Sequence, residues 1–146
     1  MLLDPRGPRF AAALTTVVLA VALITGSGLL VLAQAVVFAV TATNPRIGPY
    51  GLIYRALVAP RLRPPAELEP VAPVRFAQLV GLAFATAGAV GWLAGVPALG
   101  LVATGAALAA AFLNAAFDVC LGCEGYLAIR RLTGRPLTAR VPARTS

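Results

Sequence analysis

No charged residue occurs from Phe10 to Thr43. One helix over that length, rising ~1.5 Å per residue, would far exceed the ~30 Å hydrocarbon core of a bilayer. Gly26-Ser27-Gly28 offers a turn near the middle. The stretch is therefore predicted to form two membrane helices, Pro8–Thr25 and Gly28–Asn44. Both lie at the short end of the ~17–25 residues of a usual span. A cleaved signal peptide would also join a basic start to an apolar run. Here no A-x-A-like site follows and the apolar stretch continues, which favours a retained span.

Composition agrees. Of 146 residues, 60% are hydrophobic and 12% charged, against about 45–50% and 25% in soluble domains. These values indicate an integral membrane protein. Histidine is absent, so imidazole can take no part in a metal site within one chain. Every positively charged side chain behind the net charge of +7 is an arginine. A basic balance can mark nucleic-acid binding, but these arginines lie between apolar spans and are not interleaved with aromatic residues. No nucleic-acid partner is expected; the lipid bilayer is.

Arginine placement gives the topology. Arg6 and Arg9 precede the first span. Arg46, Arg55, Arg61, Arg63 and Arg75 lie around the central loop, residues 45–74. Arg130, Arg131, Arg135, Arg140 and Arg144 follow the last apolar stretch. Third and fourth spans are predicted at Arg75–Ala94 and Ala98–Val119, joined at Gly95-Val96-Pro97. Neither short turn carries charge, so the positive-inside rule places both termini and the central loop in the cytoplasm. The predicted fold is an all-α membrane protein of four transmembrane helices arranged as two hairpins. Residues 1–134 form one domain, and 135–146 a flexible basic tail.

Within the loop, Gly51–Val58 is apolar apart from Tyr54 and Arg55 and is predicted to be an interfacial helix. A second interfacial helix is predicted after the cysteines, up to Leu132. Pro60, Pro64, Pro65, Pro70 and Pro73 are expected to keep the rest of the loop extended. Small residues recur at fourfold spacing at Ala77, Gly81, Ala85 and Ala89, and again at Gly105 and Ala109. Such stripes let membrane helices approach closely, although alanine-rich spans also produce them by chance.

The two halves resemble each other. Pro8-Arg9-Phe10-Ala11 opens the first, and Pro73-Val74-Arg75-Phe76-Ala77 the second. Each leads to a Gly-x-x-Gly stretch, Gly48 to Gly51 and Gly122 to Gly125, followed by an apolar segment ending in arginine. Two such hairpins entering from one side would form a parallel repeat.

The chemistry-bearing residues are few. Cys120 and Cys123 form a C-x-x-C pair, the only cysteines in the chain. A cytoplasmic location argues against a static disulfide and favours a transient or catalytic use. If Gly122 breaks the helix, Cys123 opens a new one, whose N-terminus, with Arg130 and Arg131, favours a thiolate. If the helix runs on, Glu124 keeps both thiols protonated. A third reading makes them buried small residues. Zinc wants four ligands, so a thiolate site would need a second copy of the chain; no metal or cofactor is expected within one. Gln34 and Asn114 are intramembrane polar residues, serving either interhelical hydrogen bonds or a solute pathway. Asn114 and Asp118 share a helix face, with the cysteines expected on a different side. Asp118 is expected to pair with an arginine.

Asp4-Pro5-Arg6, Asn44-Pro45-Arg46, Tyr54-Arg55, Pro60-Arg61-Leu62, Arg75-Phe76-Ala77-Gln78 and Cys120-Leu121-Gly122-Cys123 together resemble a bacterial family of small membrane proteins catalogued as domain of unknown function 4395. The resemblance runs from Asp4 to about Leu132, and the C-L-G-C block is its most specific part. Many relatives are expected to carry an aromatic residue just before the first cysteine, where this chain has Val119. The resemblance implies a bacterial inner-membrane location and no defined activity. It also implies thioredoxin-like or sulfurtransferase partners. The leading expectation is thiol redox or sulfur handling at the cytoplasmic face, with Cys123 attacking and Cys120 resolving. A small transporter or channel subunit, or a purely structural membrane partner, is the alternative.

Overall fold

The computed structural model describes residues 2–143 of the chain. It is mostly helical. Three helices are long and apolar enough to cross a membrane: α1 (Arg6–Thr25), α4 (Val71–Leu93) and α5 (Pro97–Phe117). Helix α2 (Gly28–Thr43) is equally apolar but has only 16 residues. The remaining helices are α3 (Pro49–Ile53), continued by a π-helical turn at Tyr54–Val58 and a 3-10 turn at Ala59–Arg61, and α6 (Leu121–Leu132).

Helix boundaries follow from caps. Gly26 takes the left-handed conformation that ends α1, and the Ser27 hydroxyl accepts from the Leu30 amide to start α2. Helices α1 and α4 begin earlier than the expected Pro8 and Arg75. The reason is the same in both. Pro8 and Pro73 fall in a first turn, where the amide has no helical partner to lose. The expected interfacial helix at Gly51–Val58 starts instead at Pro49, in the favoured first helical position, and widens into the π-turn.

Helix α1 packs against α2 and α5, and α4 against α2 and α5. The core lies between them, at Ala22, Val31, Ala35, Phe38, Ala85 and Ala89. Helices α4 and α5 approach closely: a Cβ on Gly91 would lie 2.8 Å from the Gly100 Cα. The stripe expected to pack α4 does so only in part. Ala85 and Ala89 are buried, whereas Ala77 and Gly81 border a cavity. On α5 the packing stripe is Gly100, Ala103, Thr104 and Ala107; Gly105 has open space beside it and Ala109 is exposed. The outer surface is apolar, with Val17, Ile24, Leu29, Val36, Leu79 and Val102 exposed.

The two halves make matching contacts across the bundle. Arg9 donates to the Ala115 carbonyl near the end of α5, and Arg75 to the Ala42 carbonyl near the end of α2. Phe10 packs on Tyr54, with ring centroids 5.8 Å apart. Phe76 packs on Tyr126 at 5.6 Å, with the same tilt of 46°.

A small antiparallel sheet lies beside the arginine-bearing end. Its strands are β1 (Leu2–Leu3), β2 (Glu67–Pro70) and β3 (Val141–Pro142), in the order β1-β2-β3. It joins the N-terminus, the approach to α4 and the chain after α6. Strand β3 falls in the segment expected to be a flexible tail; Arg144 lies outside the described residues.

Candidate functional site

A cavity of about 490 Å³ opens at the arginine-bearing end of the bundle. Its size falls within the range of small-molecule sites. Small side chains make the space: Ala11 and Ala12 on α1, Ala77 and Gly81 on α4, Ala107 and Ala110 on α5. Phe38 and Phe84 form its deeper wall, and Cys120, Leu121 and Gly122 border it at the start of α6.

Two polar chains brace the cavity. Gln34, 1% exposed, donates through Nε2 to the Thr15 hydroxyl at 3.2 Å. Its Oε1 accepts from the Tyr50 hydroxyl at 2.8 Å. Gln34 is thus an interhelical hydrogen-bonding residue tying α1, α2 and α3, and it does not itself line the cavity. The second chain runs from Tyr54 to Asp4 to Arg6. The Tyr54 hydroxyl donates to Asp4 Oδ2 at 2.9 Å, and Arg6 Nη2 donates to the same oxygen at 2.8 Å. Burial opposes ionisation of Asp4, but hydrogen bonds from Arg6 and Tyr54 outweigh it and hold the carboxyl below its ordinary range. Burial and the Asp4 carboxylate push the Tyr54 phenol upward.

The cysteines stand at a helix junction. Asp118 adopts a left-handed conformation, φ 56°, which ends α5; aspartate tolerates it better than most residues. The Asp118 amide donates to the Asn114 carbonyl, the single bond of the αL cap, and the Val119 amide reaches back to the Leu113 carbonyl. The break therefore falls before the cysteines, at neither of the places the sequence left open, a break at Gly122 or none. Cys120, not Cys123, occupies the N-cap of α6, and its Sγ accepts from the Cys123 amide at 3.2 Å. The two sulfurs are joined as a disulfide. Gly122 serves packing instead. A Cβ there would lie 2.6 Å from the Ala77 Cα, so its absence lets α6 rest on α4.

The junction also separates residues that a continuous helix would hold together. Asn114 lines the cavity with Cys120, whereas Asp118 turns outward and pairs with Arg140 at 2.5 Å. Arg140 also approaches Glu67 at 4.0 Å. Nearby on β2, burial pushes the Glu69 carboxyl up to about 7 despite the pull of Arg140, with Asp118 and Asp4 adding to the rise. Among the described residues, no three potential metal ligands cluster.

Sequence reasoning missed Thr15, Tyr50 and the Asp4–Tyr54 pair as parts of the site. A signal existed for the last: Asp4-Pro5-Arg6 and Tyr54-Arg55 stood out as separate short blocks, and the fold brings them into contact. Gln78, from another such block, lines the cavity as well.

No curated protein and no solved structure matches the chain. A family model covers residues 3–131, from the second residue of β1 through nearly all of α6. The chain with the cavity bordered by Cys120 belongs to the family described as Domain of unknown function (DUF4395).

Proposed function

We propose that this protein is a four-span protein of the bacterial inner membrane that carries out thiol–disulfide or sulfur-transfer chemistry at the cytoplasmic face. Helix α2 is the fourth span, packed along α4, and both termini lie in the cytoplasm with the arginines. The observation that carries the proposal is the position of Cys120: N-cap of α6, disulfide-bonded to Cys123, and bordering the cavity.

In the reduced state a helix N-terminus favours a thiolate at Cys120, and the Cys123 amide supplies a hydrogen bond to it. Cys120 is then the attacking sulfur and Cys123 the resolving one, the reverse of the assignment expected from a break at Gly122. A thioredoxin-like partner dithiol first reduces the pair: one partner thiolate attacks Cys120 Sγ, the sulfur–sulfur bond breaks and the Cys123 thiolate leaves and takes up a proton. The partner's second thiolate then attacks the partner sulfur of the mixed disulfide, forming the partner disulfide and releasing the Cys120 thiolate, with the second proton passing to solvent. A transporter role is weighed down by the packing beyond the cavity, where Leu19, Ala22, Val31 and Ala85 are fully buried.

The test is trapping. Cys123→Ser should accumulate a mixed disulfide through Cys120 with a thioredoxin-like protein, and Cys120→Ser should not. Equal trapping by both variants, or by neither, would reject the assignment. Solute flux in vesicles that survives loss of both cysteines would favour the transporter instead.

A further inference from the structure

We propose that the cavity binds a lipid-soluble quinone that reoxidises the Cys120–Cys123 dithiol. This rests on the thiol chemistry proposed above and names the electron acceptor for it. Three observations support it. First, Cys120, one of the two bonded cysteines, lines a largely apolar chamber of about 490 Å³, large enough for a quinone ring and the start of its tail. Second, the apolar wall of Ala77, Gly81, Phe84 and Ala110 suits a hydrophobic carrier better than a charged or soluble one. Third, two amide side chains line the same chamber, Gln78 and Asn114. Neither makes a side-chain hydrogen bond among the described residues, whereas the other intramembrane amide, Gln34, is bonded at both of its ends. Two unengaged N–H donors in an apolar chamber match a ligand with two carbonyl oxygens.

The reaction balances as a two-electron exchange. The Cys120 thiolate adds to the quinone ring and forms a carbon–sulfur bond. The Cys123 thiolate then attacks Cys120 Sγ, so the sulfur–sulfur bond forms as the carbon–sulfur bond breaks. The electron pair leaves with the ring, which takes up two protons and departs as the hydroquinone. The dithiol is oxidised and the quinone reduced.

The experiment uses the full chain in detergent, reduced and freed of reductant. It is mixed with decylubiquinone in one series and with oxidised dithiothreitol, a soluble disulfide, in another. Hydroquinone formation and remaining thiols are both followed. One hydroquinone per disulfide formed is expected with the wild type. Ala110→Phe, which fills the chamber, should lower the quinone rate, relative to the dithiothreitol rate on the same variant, by about tenfold or more. Asn114→Leu, a second variant that keeps the volume nearly constant, should lower the same ratio. Thiols that react with oxidised dithiothreitol but not with the quinone would overturn the quinone site and leave the thiol reading standing. Quinone rates unmoved by both variants would also overturn it, by showing oxidation outside the chamber. Thiols inert to both oxidants would overturn the two readings together.

Discussion

Arg9 donates through Nε to the carbonyl oxygen of Ala115, 3.0 Å away across the α1–α5 contact. Arg75 does the same for Ala42, at 2.7 Å, across the α4–α2 contact. The last carbonyls of a helix lack intrahelical partners, and a cation there also answers the negative end of the dipole. Each arginine therefore closes a helix of the opposite half.

Replacing either arginine by glutamine should cost about 1–2 kcal/mol, the range for a hydrogen bond involving a charged group near a helix terminus. The two losses should differ in their local effect. Arg9→Gln loosens the end of α5, three residues before the junction residue Asp118, and should speed labelling of reduced Cys120 by a maleimide. Arg75→Gln acts on α2 and should leave that rate nearly unchanged. Equal labelling in both variants would mean that the α5 end is held by other contacts.

Among the described residues, Gln34 is the one side chain that links three helices through hydrogen bonds, so its loss leaves Thr15 and Tyr50 without their partners. Gln34→Leu should lower the thermal midpoint in detergent. In membrane interiors such bonds couple by about 0.6 kcal/mol on average and up to ~1.7. A double-mutant cycle of Gln34→Leu with Tyr50→Phe should fall in that range. Strict additivity would show that the Tyr50–Gln34 bond contributes nothing.

Much of the helical content was legible because it rests on local signals. The charge-free stretch, the glycine–serine turn and the arginine clusters set the helices to within a few residues. The resemblance between halves was legible too, since Arg9 and Arg75 each stand before a phenylalanine that meets a tyrosine. The helix break at Asp118 was not. Glycine is the usual left-handed residue, so Gly122 drew the expectation, while an aspartate took the conformation and moved the cap to Cys120. The Tyr54–Asp4 contact and the pairing of β2 with β1 and β3 join residues far apart in the chain, and no periodicity announces them.

The carboxylates at the sheet give opposite pH dependences. Glu69 titrates near 7 in the folded protein and near 4.5 unfolded. Between those values the folded state keeps a proton that the unfolded chain has released, so stability falls as pH rises through the window and is flat above it. Asp4 is held below its ordinary 3.8. Its contribution is present above that value and lost as pH falls through the lowered one. Glu69→Gln should therefore abolish the decline and raise stability at about pH 8 by roughly 1–2 kcal/mol, allowing for screening by solvent. Thermal midpoints collected across the pH range would check this. A slope unchanged in Glu69→Gln would assign the decline to another group.

Gly122 decides whether the cysteines stay beside the cavity. A Cβ at that position would fall 2.6 Å from the Ala77 Cα and 2.7 Å from its Cβ. Neither atom is the end of a flexible side chain, so α6 must move away from α4. Gly125, one turn on, has open space where its Cβ would be. Helix propensity favours alanine over glycine at both positions by up to about 1 kcal/mol, so propensity alone predicts that both variants gain. Gly125→Ala should gain stability. Gly122→Ala should lose it, by about 1–3 kcal/mol for overpacking a close contact, and should expose Cys120 to maleimide in the reduced protein. A Gly122→Ala protein as stable and as slowly labelled as Gly125→Ala would show that α6 is not seated on α4.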